Sequence, residues 1–242
     1  MQPSTKILIY TALWKRPFIT QICFEGIERL RQHPDFEIEA LAVISEESMI
    51  PLCESYNVKW FMHKNEPLGQ KKNAGLQHAK QFEFDYLLEI GSDDLILNEL
   101  LTDYKKYIGT YNFFGISDAA YINSDGGECR RLISKSTYGA GRMISRSVLD
   151  KLKWKLWNDK LNRGLDNNSV FNIQKSGYRY HKVEPMAFPG VVDIKSRENI
   201  WKFNYFLGVE YNIEEILSRV SLQEREMIES LYASVERENR AA

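Results

Sequence analysis

Apolar and polar positions follow two alternating rhythms along the first 95 residues. Lys6 to Leu13 is a β-rich apolar run, after which Phe18, Ile22, Ile27 and Leu30 recur at helical spacing until His33-Pro34 stops them. The same pattern predicts a strand over Ile38 to Ile44, a helix over Glu47 to Tyr56 and a short strand over Val58 to Met62. A helix follows over Gly69 to Phe82, with Leu76, Ala79 and Phe82 on one face. The next strand, Tyr86 to Ile90, ends at Gly91-Ser92-Asp93-Asp94. This βαβ rhythm predicts a parallel sheet, and right-handed crossovers would bring the carboxyl ends of four strands to one rim.

Beyond residue 95 the rhythm changes. Leu95 to Tyr107 reads as a helix and Phe113 to Ile122 as β. The turn signal Asn123-Ser124-Asp125-Gly126-Gly127 leads into Cys129 to Ile133, an antiparallel addition to the sheet. Gly139-Ala140-Gly141 reads as a flexible junction before a helix near Ser147 to Leu152. Asn167 to Lys175 is a further helix, Tyr178 to Met186 a strand, and Pro189-Gly190 a break. From Asn199 the chain reads as helical to the end. Ile213, Ile216, Leu217 and Val220 form one stripe, and a capping box at Ser221-Leu222-Gln223-Glu224 opens a last helix carrying Met227, Ile228, Leu231 and Val235.

Composition narrows the class without deciding function. With 43% hydrophobic and 27% charged residues, 14 Gly and 7 Pro in 242 residues, the chain is an ordinary globular protein, neither collagen-like nor disordered. Cys23, Cys53 and Cys129 lie far apart, belong to no CxxC and fit a reducing compartment. The longest early apolar run is far short of the roughly 20 residues that cross a bilayer. It also carries no small-residue cleavage site. The expectation is a cytoplasmic protein, with peripheral membrane association left open.

The net charge of -1 conceals an uneven distribution. Residues 129–182 hold 13 Lys/Arg against 3 Asp, a balance of +10, which leaves -11 on the rest. Such a stretch can meet a phosphorylated donor, a lipid phosphate, an anionic surface or nucleic acid, or can be a plain solvated face. Lys151, Lys153 and Lys155 interleaved with Trp154 and Trp157 read as one interfacial patch. Trp14 and Trp201 are further stacking candidates for a base or a sugar face, with core filling as the alternative for all four tryptophans.

Familiar catalytic signatures are missing. Gly139-Ala140-Gly141 lacks the third glycine of a dinucleotide fingerprint and follows no first βαβ strand; no GxxxxGK, HExxH or GxSxG occurs. His33, His63, His78 and His181 have no metal-ligand spacing, which argues against zinc. Asp93-Asp94 differs because of its place. Two carboxylates at the carboxyl rim of a parallel sheet stand where open α/β folds bind ligands, and Mn²⁺ or Mg²⁺ prefers such oxygens together with substrate phosphates. Capping of the following helix is the alternative.

Residues upstream weigh toward the ligand site. Leu68-Gly69-Gln70-Lys71-Lys72-Asn73-Ala74-Gly75-Leu76, a helix, and then the strand ending at Ser92-Asp93-Asp94 together resemble the family 2 glycosyltransferases of GT-A fold. Tyr10 to Pro17 resembles that family's nucleotide-binding loop, Tyr138 to Arg146 its glycine-containing segment near donor sugar and acceptor, and Gly164-Leu165-Asp166 its general-base position. These matches run in order over residues 6 to about 195. The resemblance implies a GT-A-like, Rossmann-related mixed α/β sheet flanked by helices over 1–197, with a nucleotide-binding half (1–97) and an acceptor half (98–197). A helical appendage would occupy 198–242.

The resemblance also implies a metal-dependent, inverting sugar transfer from a nucleotide-sugar donor to a carbohydrate, lipid-linked or other hydroxyl acceptor. Metal ligands would be Asp93, Asp94 and, in the stretch that completes the site, Asp193. Donor contacts would come from Thr11, Leu13, Arg16, Glu46, Gly69, Lys72, Asn73, Ser92, Asp93, Gly141, Arg142 and Lys195. Lys72 would meet a phosphate as a cation aided by the positive helix end, or else be a solvated helix residue. Asp166 would take the acceptor hydroxyl proton as general base, or else cap the helix that it heads.

Three departures keep other readings open. Gly91 stands at the first position of the Asp-x-Asp motif, Ser45-Glu46-Glu47-Ser48 replaces the usual base-recognising Asp, and Asp166 is followed by Asn167 and Asn168. A non-catalytic nucleotide- or sugar-binding relative fits these departures. A nucleotidyltransferase is the enzyme alternative, although Tyr10 to Arg16 contains no Gly. The apolar stripes from Ile213 to Val235 would either pack on the domain or form a homodimer contact.

Overall fold

A computed structural model describes residues 4–134, 138–199, 202–205 and 207–241, the last eight of these as backbone only. Trp201 and the side chain of Val235 lie outside the described residues. In chain order the strands and helices are β1 (Thr5–Ala12), α1 (Pro17–Arg31), β2 (Phe36–Ile44), α2 (Ile50–Ser55), β3 (Lys59–Met62), α3 (Leu68–Ala79), β4 (Tyr86–Glu89), β5 (Asp94–Ile96), α4 (Asn98–Tyr104), β6 (Phe113–Ile116), β7 (Asp118–Asn123), β8 (Cys129–Ile133), β9 (Arg142–Ser145), α5 (Arg146–Lys151), α6 (Leu165–Lys175), β10 (His181–Val183), β11 (Val191–Lys195), β12 (Val209–Glu210), α7 (Ile213–Leu217) and α8 (Leu222–Ala241).

Seven strands form the main sheet in the order β10-β6-β9-β4-β1-β2-β3. Pairing is parallel except at β9, which runs antiparallel to both β4 and β6. Its central strands are buried on both faces, so they read as continuous apolar runs rather than alternating ones. One face packs Cys23, Phe24, Ile27, Leu30, Leu100 and Leu101 from α1 and α4. The other packs Leu76, Val148, Leu149, Leu165 and Ile173 from α3, α5 and α6.

A second sheet, in the order β12-β8-β7-β11-β5, carries Asp94 on β5 and Asp193 and Lys195 on β11. Three sequence expectations change here. Leu95 and Ile96 lie in β5, pairing with β11, and the helix begins only at Asn98. The expected junction before Ser147 is followed by the inserted strand β9, whose Met143 and Ile144 are fully buried. The stretch after Asn199 is not continuously helical: residues 203–205 form a 3-10 turn and Val209–Glu210 pairs with β8.

The C-terminal helices pack on the domain. Ile216, Leu217 and Ile228 are buried with Ile19 and Ile22 of α1 and Leu95 of β5, so the face offered above as a dimer contact is largely covered within the chain. The capping box forms as read: Ser221 N–H donates to Glu224 Oε2 at 2.8 Å, and Glu224 N–H to Ser221 Oγ at 3.1 Å. The same Glu224 accepts two hydrogen bonds from Arg29, at 2.8 and 3.1 Å, and joins α8 to α1. Among the described residues, no helix is long and apolar enough to cross a membrane.

Candidate active site

Sheet geometry assembles the acidic cluster. The antiparallel register of β5 and β11 sets Asp94 opposite Asp193, and Asp93 immediately precedes β5. One carboxylate oxygen from each of Asp93, Asp94 and Asp193 lies within 4.8 Å of the others. Asp94 is in a strand and the N-cap of α4 is Leu97, so the capping alternative for Asp94 falls. Gly91 is explained by close approach: a Cβ there would stand 2.7 Å from an Asp94 carboxylate oxygen and 2.8 Å from an Asp93 oxygen, and its N–H donates to Asp94 Oδ2.

Loop Lys15–Arg16 holds the outer side. Both residues adopt left-handed φ, 55° and 56°, a conformation costly for non-glycine residues and here pinned from two sides. Glu46 Oε2 accepts the Lys15 N–H at 3.0 Å. The Arg16 guanidinium donates to Asp93 Oδ2 at 2.9 Å, to Ser92 Oγ at 2.8 Å and to Asn199 Oδ1 at 2.9 Å, while Asn199 also donates to Asp93. Lys195 pairs with Asp193 at 2.5 Å.

Unequal surroundings push the three carboxyls apart. Burial raises Asp93, but the charges of Arg16 and Lys195 and hydrogen bonds from Arg16 and Asn199 outweigh it and hold the group below its usual range. Asp94 is driven well up by burial, then by the neighbouring Asp193 and Asp93 charges. Burial likewise pushes Asp193 up to about 6, with Lys195 opposing and Asp93 adding. Crowded carboxylates of this kind are relieved by a cation. Asp193 Oδ1 is buried and accepts no hydrogen bond, so the all-oxygen donor set fits a hard divalent ion.

Metal affinity should therefore depend on pH. Ligand carboxylates must be deprotonated, so Mn²⁺ binding is expected to be weak at pH 5, to strengthen as pH rises through about 6 where Asp193 ionises, and to go on strengthening as the higher-lying Asp94 follows. Metal-free stability should move the other way. The folded state keeps a proton that the unfolded chain releases near pH 4, so this group's contribution is full below about 4 and falls as pH rises through about 6. Mn²⁺ titrations and urea melts at pH 5 and 7.5 check both directions.

Two cavities meet at the cluster. The larger, about 460 Å³, is lined by Trp14, Arg16, Lys71, Ser92 and Asn199. The smaller, about 360 Å³, is lined by Lys72, Glu89, Tyr138, Gly139 and Asp166. Asp94, Asp193 and Lys195 line both. Asp166 lies in the first turn of α6, whose N-cap is Gly164. Its carboxylate lies so close to Gly139 that a Cβ there would come within 2.4 Å.

Other expected donor residues make contacts within the chain. Thr11 and Leu13 are buried. Asn73 clamps the 156–159 segment, accepting from Leu156 and Trp157 N–H and donating to Trp157 O and Asp159. Gly69 lets α3 approach that segment, since a Cβ would stand 2.1 Å from Asn158 O. The N–H groups of Leu68 and Gly69 already donate to Asn162 Oδ1 and Leu161 O, so neither of these two is free for a phosphate. Lys72 pairs with Glu89 in the smaller cavity. Gly141, at φ 81°, donates to Glu89 O and accepts from Tyr104. Arg142 is fully buried and donates to Asp166 O at 3.1 Å and Ser169 Oγ at 2.9 Å, fixing the start of α6. The interfacial patch loses its aromatic part, because Trp154 and Trp157 are buried in the core.

Lys71, Glu89 and Asn199 line the two cavities although the sequence did not mark them as candidates. Lys71 is fully buried, donates to Leu13 O and Asn65 Oδ1, and is held down to about 8 by burial. Charged residues inside otherwise apolar or amphipathic runs, as Glu89 in Tyr86-Leu87-Leu88-Glu89, were the available signal. Asn199 carried none, since its role depends on contacts across more than 100 residues.

No family model matches the sequence, and no curated protein does. Solved structures do match by shape. S. aureus TarS (residues 1–349) superposes with TM-score 0.54 at 16% identity, over 78% of this chain and 60% of that one. A mannosyltransferase from Pyrobaculum calidifontis, solved with GDP-Man and Mn²⁺, gives TM-score 0.55 at 11% identity, over 84% and 60%. The fold is of the GT-A type. This chain thus spans about 60% of the length of those two chains, and the GT-A arrangement accounts for its mixed sheet, its second sheet and the flanking helices.

Proposed function

We propose that this protein is a glycosyltransferase that takes a nucleotide-sugar donor, uses Mn²⁺ or Mg²⁺ and transfers the sugar with inversion to a hydroxyl acceptor. One observation carries the reading: Asp94 and Asp193 line both cavities, and Asp93, on the larger one, brings a third carboxylate oxygen within 4.8 Å of theirs. A diphosphate lying along that cluster would have its nucleoside on one side and its sugar on the other. Trp14, 41% exposed in the larger cavity, offers a stacking face for a base opposite the one that the Lys15 ammonium covers at 4.6 Å, and Arg16 and Lys71 are further cations lining that cavity. A divalent ion at the cluster would supply charge neutralisation for the departing diphosphate.

Asp166 stands in the other cavity. Arg142 and Ser169 hold its backbone carbonyl, and its carboxylate is accessible to an acceptor hydroxyl, whose proton it would take as the oxygen attacks the anomeric carbon. The mannosyltransferase solved with GDP-Man and Mn²⁺ supports the choice of donor class and ion.

Melting curves test the donor. UDP, GDP, dTDP or CDP at about 100 times its dissociation constant should stabilise by about 2.7 kcal/mol. The gain is expected only when Mn²⁺ is present. If none of the four shifts the melt, the donor reading is wrong. Asp166→Asn should leave that nucleotide shift intact and, with the cognate acceptor, lower transfer by at least a hundredfold, the usual size of a general-base contribution. Nucleotide binding without sugar transfer by the wild type to any hydroxyl acceptor would favour the non-catalytic alternative.

A further inference from the structure

We infer that Glu89, with Lys72, is the recognition pair for a hydroxyl of the sugar carried by the donor; the inference rests on the nucleotide-sugar reading and extends it to the smaller cavity. Glu89 ends β4, and its side chain is 2% exposed. A carboxylate in such a place needs donors for both oxygens. Oε1 accepts from the Lys72 ammonium, but Oε2 is buried without a hydrogen-bond partner, and Arg142 Nη1 is 3.9 Å from it. Glu89 is one of the residues lining the 360 Å³ cavity that also holds Lys72, Asp166, Asp94 and Asp193.

Local charge selects the ligand. An added cation is disfavoured beside Lys72 and Arg142, which already offset Glu89, and a phosphate is disfavoured by the unpaired carboxylate oxygen. A neutral O–H group donates to Oε2 without changing the charge of the cavity. Lys72 lies 4.2 Å from the Trp157 ring centroid, so its ammonium is held on a second side and its remaining N–H groups can serve an adjacent hydroxyl oxygen. A carboxylate and an ammonium side by side thus match two neighbouring hydroxyls of a sugar, one donating and one accepting. None of this chemistry lies in the nucleotide cavity, since Glu89 and Lys72 do not line it.

Paired titrations test the assignment. With Mn²⁺ present, UDP is compared with UDP-glucose and GDP with GDP-mannose, on the wild type and on Glu89→Gln. For the pair that the wild type binds, the variant should keep the wild-type affinity for the diphosphate and lose about tenfold for the sugar nucleotide, the size of one hydrogen bond to a charged group. Equal affinities in both proteins, or equal losses for diphosphate and sugar nucleotide, overturn it. If Glu89→Gln does not fold, Glu89→Asp, which keeps the charge and withdraws the oxygens by one methylene, is read by the same ratio. A wild type that binds neither diphosphate overturns the donor reading itself, a different result from a lost sugar increment.

Discussion

Asp94→Asn should abolish Mn²⁺-dependent nucleotide binding and, at neutral pH, raise the melting temperature of the metal-free protein. Both effects have one cause. Asp94 is buried between Asp93 and Asp193, and its carboxyl is driven up by burial and by those two charges, so ionising it works against the fold. An amide of the same shape removes the repulsion and still accepts the Gly91 N–H. It also removes an anionic ligand from a three-oxygen site, and two carboxylates hold a hard cation far less well than three. A purely structural aspartate would behave otherwise, since its loss would lower the melting temperature and leave ligand binding to the other residues. A thermal melt of the variant with and without Mn²⁺ and UDP or GDP separates the two.

Glu224→Ala should be the most destabilising single change in the C-terminal part, costing about 3–5 kcal/mol in a urea melt. Glu224 is fully buried, closes the capping box of α8 and takes both arms of the Arg29 guanidinium. Removing it leaves a charge that is only 11% exposed without its counterion. The consequence reaches the site, because Arg29 also donates to Ile96 O at the end of β5, the strand that carries Asp94. The variant is therefore expected to lose stability and, in the folded fraction, to bind Mn²⁺ more weakly. Glu224→Gln, which keeps the capping oxygen, should recover part of the stability.

Much of the fold was legible because the chemistry is local. β1, β4 and residues 40–44 of β2 are apolar runs that alternate with helices of 3.6 period, and such runs occur where strands are buried on both faces. Short elements were not. β5 has three residues and abuts α4, so Leu95 and Ile96 read as the start of a helix. β9 carries Arg142 and follows two glycines, and only its insertion between β4 and β6 makes it a strand.

The acidic cluster was half visible. Asp93 and Asp94 sit together in sequence at the rim of the sheet, whereas Asp193, expected only through the family resemblance, reaches Asp94 through the β5–β11 register, which no local pattern encodes. Arg142, Asn73 and Gly69 show the opposite case. Their types and spacing fit donor contacts, whereas burial and hydrogen bonding tie them to the α6 start and the 156–159 segment. Residue type alone does not say whether a polar group faces a ligand or the scaffold that holds the ligand's neighbours.

The central claim is that Asp93, Asp94 and Asp193 hold a divalent ion together with a nucleoside diphosphate. Electron paramagnetic resonance of free Mn²⁺ reads this directly, because the six-line signal of the aqueous ion fades when the ion is bound. Wild-type protein with UDP or GDP at pH 7.5 should quench that signal well beyond the nucleotide alone, and Asp94→Asn should not. Equal quenching by the two proteins, or none by the wild type, would contradict the claim.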